Sequence, residues 1–148
     1  MILYCDSSAL VKLYVVEPGS EEVRAAVAAA EAVATCRITW AEIHAALSRR
    51  ARDAPQDAAA IEMAKQAFAA DWPHYVVIEV SQSVVERAGE FADTFALRGY
   101  DAVQLAAAHI LAEASGEACD FACFDLRLAK AAKVLGLVAP ATGPRTIS

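Results

Sequence analysis

Short apolar runs alternate with longer helical patterns along this chain. Residues 2–5 (Ile-Leu-Tyr-Cys) form a continuous apolar run that ends at Asp6. A run of that length bounded by a polar residue reads as a strand buried on both faces. Residues 32–35, 75–78 and 120–124 repeat the pattern, the run at 75–78 being rich in β-branched residues. Helical stretches lie between. One follows Asp6-Ser7-Ser8 and runs to Tyr14, and one starts at Ser20, expected as its cap, after the turn Glu17-Pro18-Gly19. Others cover residues 39–53, 56–70 behind Pro55, 81–95, 101–114 and 126–135. Gly99 is expected to stop the helix that Ser81 opens, and Gly136 to stop the one ending near Leu135. Leu137-Val138 fits a last edge strand, before a polar tail containing Pro and Gly. Strands alternating with helices or helix pairs predict an α/β fold: three layers, α/β/α, with a central mostly parallel sheet.

Three aspartates sit where an apolar run gives way to a helix: Asp6, Asp101 and Asp125. Glu42 lies near the start of another. In an open α/β sheet the carboxyl ends of the strands face the ligand crevice. Carboxylates gathered there repel one another unless a cation lies between them, which points to a divalent-metal site. Position alone also has a structural account. Aspartate is a favoured helix N-cap, and Thr39-x-x-Glu42 has the spacing of a capping box. The two readings are compatible, because a capping carboxylate retains an oxygen for a metal.

Composition narrows the field. A chain of 148 residues fits a single domain, residues 1–148, with a core large enough to need no staples. The residues are 57% hydrophobic, with much alanine, yet no uninterrupted apolar stretch reaches the ~18 residues of a membrane span. The N-terminus lacks the pattern of a secretory signal, so a cytoplasmic protein with no membrane association is expected. Of the four cysteines, Cys119 and Cys123 are spaced C-x3-C without a second pair, and reduced buried thiols are expected rather than zinc. The net charge of −6 argues against broad nucleic-acid affinity, but basic residues cluster at Arg49, Arg50 and Arg52 and again at Arg127, Lys130 and Lys133. Trp40 is expected to pack in the core at a helix start, and His44 and His109 to be packing or surface residues.

The segments around the acids carry more information than the acids do. Asp6-Ser7-Ser8-Ala9-Leu10-Val11-Lys12-Leu13-Tyr14 resembles the opening of the PIN-domain family, and within it the VapC-type toxins of bacterial toxin–antitoxin pairs. Trp40-Ala41-Glu42-Ile43, Leu97-Arg98-Gly99-Tyr100-Asp101-Ala102-Val103-Gln104-Leu105-Ala106 and Phe124-Asp125-Leu126-Arg127-Leu128-Ala129 resemble three further segments of that family, in its order. The resemblance runs from Met1 to about Leu137. It implies a PIN-like fold and a metal-dependent endoribonuclease that uses Mg²⁺ or Mn²⁺ and leaves 5′-phosphate and 3′-hydroxyl ends. Asp6, Glu42, Asp101 and Asp125 would be the catalytic, metal-holding acids. Ser7 or Ser8 would support them, and Lys12, Arg98 and Arg127 are the basic residues placed to meet RNA. It further implies a cognate VapB-type antitoxin, whose tail would cover the acids, and a homodimer. One position departs from the family pattern: Cys123 stands where a Thr or Ser is usual, which puts the support of Asp125 in question.

Other readings remain at this level. A receiver-like signalling module would need an acid pair after its first strand, and here Asp6 is alone. A catalytically weakened PIN-like RNA-binding module is disfavoured by the four acids and kept open by Cys123. A PIN nuclease of RNA processing, acting without an antitoxin, would look much the same in sequence. A small upstream antitoxin gene would separate it from a toxin.

Overall fold

The computed structural model describes residues 1–140, and the expected tail lies outside them from residue 141 on. Four strands among these residues, β1 (Ile2–Cys5), β2 (Ala32–Cys36), β3 (Val76–Ile78) and β4 (Cys119–Ala122), form one sheet in the order β3-β2-β1-β4. Every pairing is parallel, with Tyr4 opposite Ala34 on one side and Phe121 on the other. Val138 adds an isolated parallel bridge to Asp120, so the expected last strand is reduced to one residue.

Helices cover both faces, as buried parallel strands require. On one face, α1 (Ser7–Leu10), α2 (Ser20–Ala29), α3 (Thr39–Asp53) and α4 (Ala58–Asp71) pack their buried residues against Leu3 and Cys5. On the other, α5 (Gln82–Phe95), α6 (Gly99–Ser115) and α7 (Leu126–Val134) pack against Tyr4, Ala34 and Phe121. Adjacent β1 residues therefore serve opposite cores, the period-2 rule of a strand. The rings of Tyr4 and Phe121 stack across the β1–β4 pair with centroids 5.5 Å apart. The chain runs outward from β1 through β2 to β3 and then returns to place β4 on the other side of β1. The carboxyl ends of β1 and β4 thus flank a topological switch point, the crevice where open α/β sheets bind ligands.

Several local expectations differ from the structure. Helix α5 ends at Ala96, in the left-handed region at φ 53°, and Gly99 instead begins α6. Burying Leu97 immediately after the turn explains the exchange, since a hydrophobic contact just past a helix end commonly anchors it. Ser20 does not cap α2. The cap is Gly19 at φ 96°, while the Ser20 hydroxyl accepts from the Glu17 amide and donates to the Val15 carbonyl, both at 3.0 Å. Pro55 opens a separate 3-10 turn, Pro55–Asp57, ahead of α4. Strand β4 starts and stops earlier than its apolar run suggests, which leaves Cys123 and Phe124 in the loop before Asp125. Trp40 lies at the protein surface rather than in the core, 38% exposed, against His44, Phe68 and Trp72.

Candidate active site

Asp6 follows β1 directly. Its amide donates to the Ala122 carbonyl at 3.1 Å, extending the β1–β4 ladder by one bond, and its side chain turns up to cap α1. Asp6 Oδ1 accepts from the Ala9 amide at 2.9 Å and from the Ser8 hydroxyl at 2.7 Å. The same Ser8 oxygen accepts from the Phe124 amide at 3.2 Å, which ties the loop before Asp125 to the first acid. Only 4% of Asp6 is exposed. Burial disfavours its charge, and the nearby Asp101 and Glu42 carboxylates add to the effect, although the bonds from Ser8 and Ala9 oppose it. The balance pushes its pKa up to about 7.

Glu42 is not half of a capping box. Helix α3 begins without a side-chain cap, and the residues expected to form the box face inward instead. Glu42 Oε1 accepts from the Ser7 hydroxyl at 2.7 Å and from the Gln104 amide at 2.8 Å. Gln104 is buried in α6. Its carbonyl oxygen accepts from the Tyr4 hydroxyl at 2.6 Å, so its NH₂ end must face Glu42, Thr39 Oγ1 at 3.0 Å and Ser7 Oγ at 3.2 Å. Thr39 in turn bonds Thr35, whose hydroxyl reaches the Cys5 carbonyl at 2.9 Å. Tyr4, Thr35, Thr39 and Gln104 thus form a buried polar floor that orients Glu42. The sequence reading assigned none of them a role, and only Gln104, a lone amide among the apolar residues 102–108, gave a signal.

Asp101 is also not a cap. It is the third residue of α6, whose N-cap position is Arg98, and it is partly buried. Burial raises its pKa, the Asp125 and Glu42 carboxylates raise it further, and the Arg98 guanidinium lowers it. Asp125 does cap, with Oδ1 accepting from the Leu128 amide at 2.8 Å, but it is exposed. The Cys123 thiol reaches the Asp125 main-chain carbonyl at 3.6 Å rather than its carboxylate. Burial, followed by the Asp6 charge, pushes that thiol up to about 12, so it stays protonated.

The four predicted acids therefore lie around one crevice and feel one another electrostatically. Ser7 and Ser8 both belong to it, one bonded to Glu42 and the other to Asp6. The basic residues divide. Exposed Arg98 bonds the Tyr100 hydroxyl at 3.0 Å within the fields of Asp101 and Asp125. Arg127 is spent on the Ala96 carbonyl at 3.1 Å, and Lys12 turns to Glu17 at 2.9 Å.

Among the described residues, no three His, Cys, Asp or Glu side chains converge closely enough to hold one ion as they stand. The donor chemistry nevertheless fits a hard divalent cation. The donors are all carboxylate oxygens, and hydroxyl and amide donors orient two of the four acids. The most buried acid, Asp6, lies in the fields of Asp101 and Glu42, with Lys12 farther off and no ion pair to Asp6 among the described residues.

A sequence model of the PIN domain family matches residues 3–134. Ribonuclease VapC46 of Mycobacterium tuberculosis (strain ATCC 25618 / H37Rv) is 32% identical over 135 residues, 91% of this chain and 93% of the relative. Ribonuclease VapC49 of the same strain is 34% identical over 107 residues, and so is ribonuclease VapC45 of strain CDC 1551 / Oshkosh; each match covers 72% of this chain and 74% of the relative. With a parallel sheet between two helical layers and four acids at its switch point, the chain belongs to the PIN domain family, in its VapC group.

Proposed function

We propose that the protein is an endoribonuclease acting as the toxin of a toxin–antitoxin pair, with Asp6, Glu42, Asp101 and Asp125 as its catalytic acids and Mg²⁺ or Mn²⁺ as its cofactor. One observation carries the reading: a buried Asp6, destabilised as an anion, lies in the fields of Asp101 and Glu42 at the crevice. A fold tolerates such an arrangement when a cation arrives to offset it. When bound, that cation polarises a phosphoryl oxygen and acidifies water near neutral pH.

The protein's own groups do the rest. Asp6, after β1, and Asp101, at the start of α6, would hold the ion. Gln104 and Ser7 both bind Oε1 of Glu42, which fixes the carboxylate plane and leaves Oε2 for the ion or for a water. Asp125 commits Oδ1 to its helix and is itself exposed, so its carboxylate would suit orienting the attacking water in line with the phosphodiester. Arg98, exposed beside Asp101, is placed to meet a phosphate and to offset charge as the leaving oxygen departs. The products would carry 5′-phosphate and 3′-hydroxyl ends. A VapB-type antitoxin covering these acids with a cationic side chain would silence the site, and a homodimer is the expected assembly.

The test is cleavage of single-stranded RNA by purified protein, with and without Mg²⁺ or Mn²⁺, together with growth of a host expressing wild type or Asp6→Ala. Cleavage that needs the ion and growth arrest that needs Asp6 are expected. Undiminished cleavage in excess EDTA would overturn the metal-dependent reading. Equal growth with both soluble proteins would overturn the toxin reading.

A further inference from the structure

Next to the four acids, two cations converge on a single further carboxylate. Lys12, just past α1, and Arg50, on α3, bind opposite oxygens of Glu17: Lys12 Nζ reaches Oε1 at 2.9 Å, and the Arg50 guanidinium contacts Oε2. Lys12 also donates to the Pro18 carbonyl at 2.8 Å and lies 4.4 Å from the centre of the Phe124 ring. Only 12% of the Lys12 side chain and 16% of the Glu17 side chain are exposed, against 43% of Arg50. Burial, and then Arg50, lower the pKa of the Lys12 ammonium, so the two cations are close enough to repel each other.

The turn that carries Glu17 does not depend on that carboxylate. Ser20 fixes it through the Glu17 amide, the Val15 carbonyl and its own amide, which donates to the Glu17 carbonyl at 3.0 Å. Gly19 fixes it again. At φ 96° a side chain is strained there, and a Cβ would come within 2.6 Å of the Phe124 ring and 3.1 Å of Lys12 Cδ. Backbone and packing thus hold the turn without the carboxylate.

The pair also borders the acids. Lys12 lies in the field of Asp6, and Phe124 adjoins Asp125. Arg50 lies eight residues beyond Glu42 on α3, about 12 Å along the helix axis. Two cations gripping the two oxygens of one anion is also the geometry in which Lys and Arg hold a phosphodiester.

We propose that Lys12 and Arg50 form a phosphate-binding pair beside the catalytic acids, and that Glu17 fills it in the free protein until a backbone phosphate of the substrate displaces it. Glu17 then acts as an internal competitor that sets affinity for RNA. The identity of the phosphate's owner rests on the ribonuclease reading above, whereas the anion site itself does not.

The experiment compares wild type with Glu17→Gln in two assays. In metal-free buffer, calorimetry with inorganic tripolyphosphate is expected to show about five- to tenfold tighter binding by Glu17→Gln. With Mg²⁺, KM for single-stranded RNA is expected to fall by a similar factor with little change in kcat. Adding Arg50→Gln to Glu17→Gln should remove both gains. A folded Glu17→Gln that binds tripolyphosphate no more tightly than wild type overturns the proposal. If Glu17→Gln does not fold, Lys12→Gln and Arg50→Gln decide: each should raise KM and flatten the salt dependence of RNA affinity by about one counterion, and unchanged values overturn the pair. Tighter tripolyphosphate binding alongside no RNA cleavage by wild type would uphold the pair and remove the ribonuclease reading.

Discussion

The corner joining β1 to α1 and the corner joining β4 to α7 are built from the same parts. Each has a parallel strand, then an aspartate whose Oδ1 caps the next helix at the third residue on, at 2.9 Å for Asp6 and 2.8 Å for Asp125. Yet Asp6 is 4% exposed and Asp125 is open to solvent. Sheet position makes the difference. Strand β1 is flanked by β2 and β4, whereas β4 has β1 on one side and a single bridge to Val138 on the other. The central corner loses water and the edge corner keeps it. Identical caps therefore carry unequal electrostatic loads, and burial rather than the cap itself marks a carboxylate poised for chemistry.

Asp6→Asn should break this comparison most strongly. The Asn carbonyl oxygen can still accept from Ala9 and Ser8, so the cap survives while the charge is lost. Cleavage should fall by about a thousandfold, because a metal-held charge contributes several kcal/mol to the transition state. Stability should move the other way. The folded pKa of Asp6, about 7, lies above its ordinary value near 3.9. Its favourable share of folding is therefore complete below about pH 4 and is lost as pH rises through 7. In EDTA, Asp6→Asn should match wild type near pH 4 and exceed it at pH 8, by on the order of 4 kcal/mol at most. Thermal melts across that range check the sign, and a variant less stable than wild type at pH 8 would refute the claim of a strained anion. Adding Mg²⁺ should raise the wild-type melting temperature and leave that of the variant nearly unchanged.

Gln104→Leu sharpens the comparison from below, because the buried side of the site has a polar floor and the exposed side has none. The substitution strands the Tyr4 hydroxyl and strips a donor from Glu42. About 1–3 kcal/mol of stability should be lost, with a ten- to hundredfold drop in kcat. Chemical denaturation and single-turnover cleavage measure the two effects separately. A loss of stability with kcat intact would make Gln104 a packing residue only.

Which of these features could be read from the sequence follows from how local their causes are. The strand, the capping aspartate and the helix are neighbours in the chain, so Asp6 and Asp125 were legible. The alternation of strands and helices gave the parallel three-layer fold for the same reason. Gln104 stands out as a lone amide in an apolar helix, but its role was not legible, because its partners Glu42 and Tyr4 are 62 and 100 residues away and nothing local shows which way that amide points. Thr39-x-x-Glu42 misled because the spacing matched a local motif while both side chains had distant partners. Gly99 misled because the buried Leu97 ended α5 earlier than glycine would have. Ser20 misled because its hydroxyl serves the preceding turn.

On the edge corner, Asp125→Asn should cost about tenfold in cleavage, far less than its counterpart at Asp6, because solvent already screens the charge it removes. The cap is retained, so stability should change by less than ~0.5 kcal/mol. Equal losses for the two substitutions would mean that sheet position does not rank the acids.

Cys123→Thr should have the smallest effect. The resemblance set an expectation of a hydroxyl at this position, so a weak point in the site would show here as a gain. The geometry argues against one. The thiol points to the main-chain carbonyl of Asp125, and the carboxylate is already held by the Leu128 amide. A threonine hydroxyl in the same place would find the same carbonyl. Its added polarity would offset little, since the side chain is only partly buried. Cleavage should stay within about threefold of wild type, a barrier change below ~0.7 kcal/mol, with melting temperature nearly constant. A tenfold rise in kcat would show that the edge corner, and not the buried one, limits the rate.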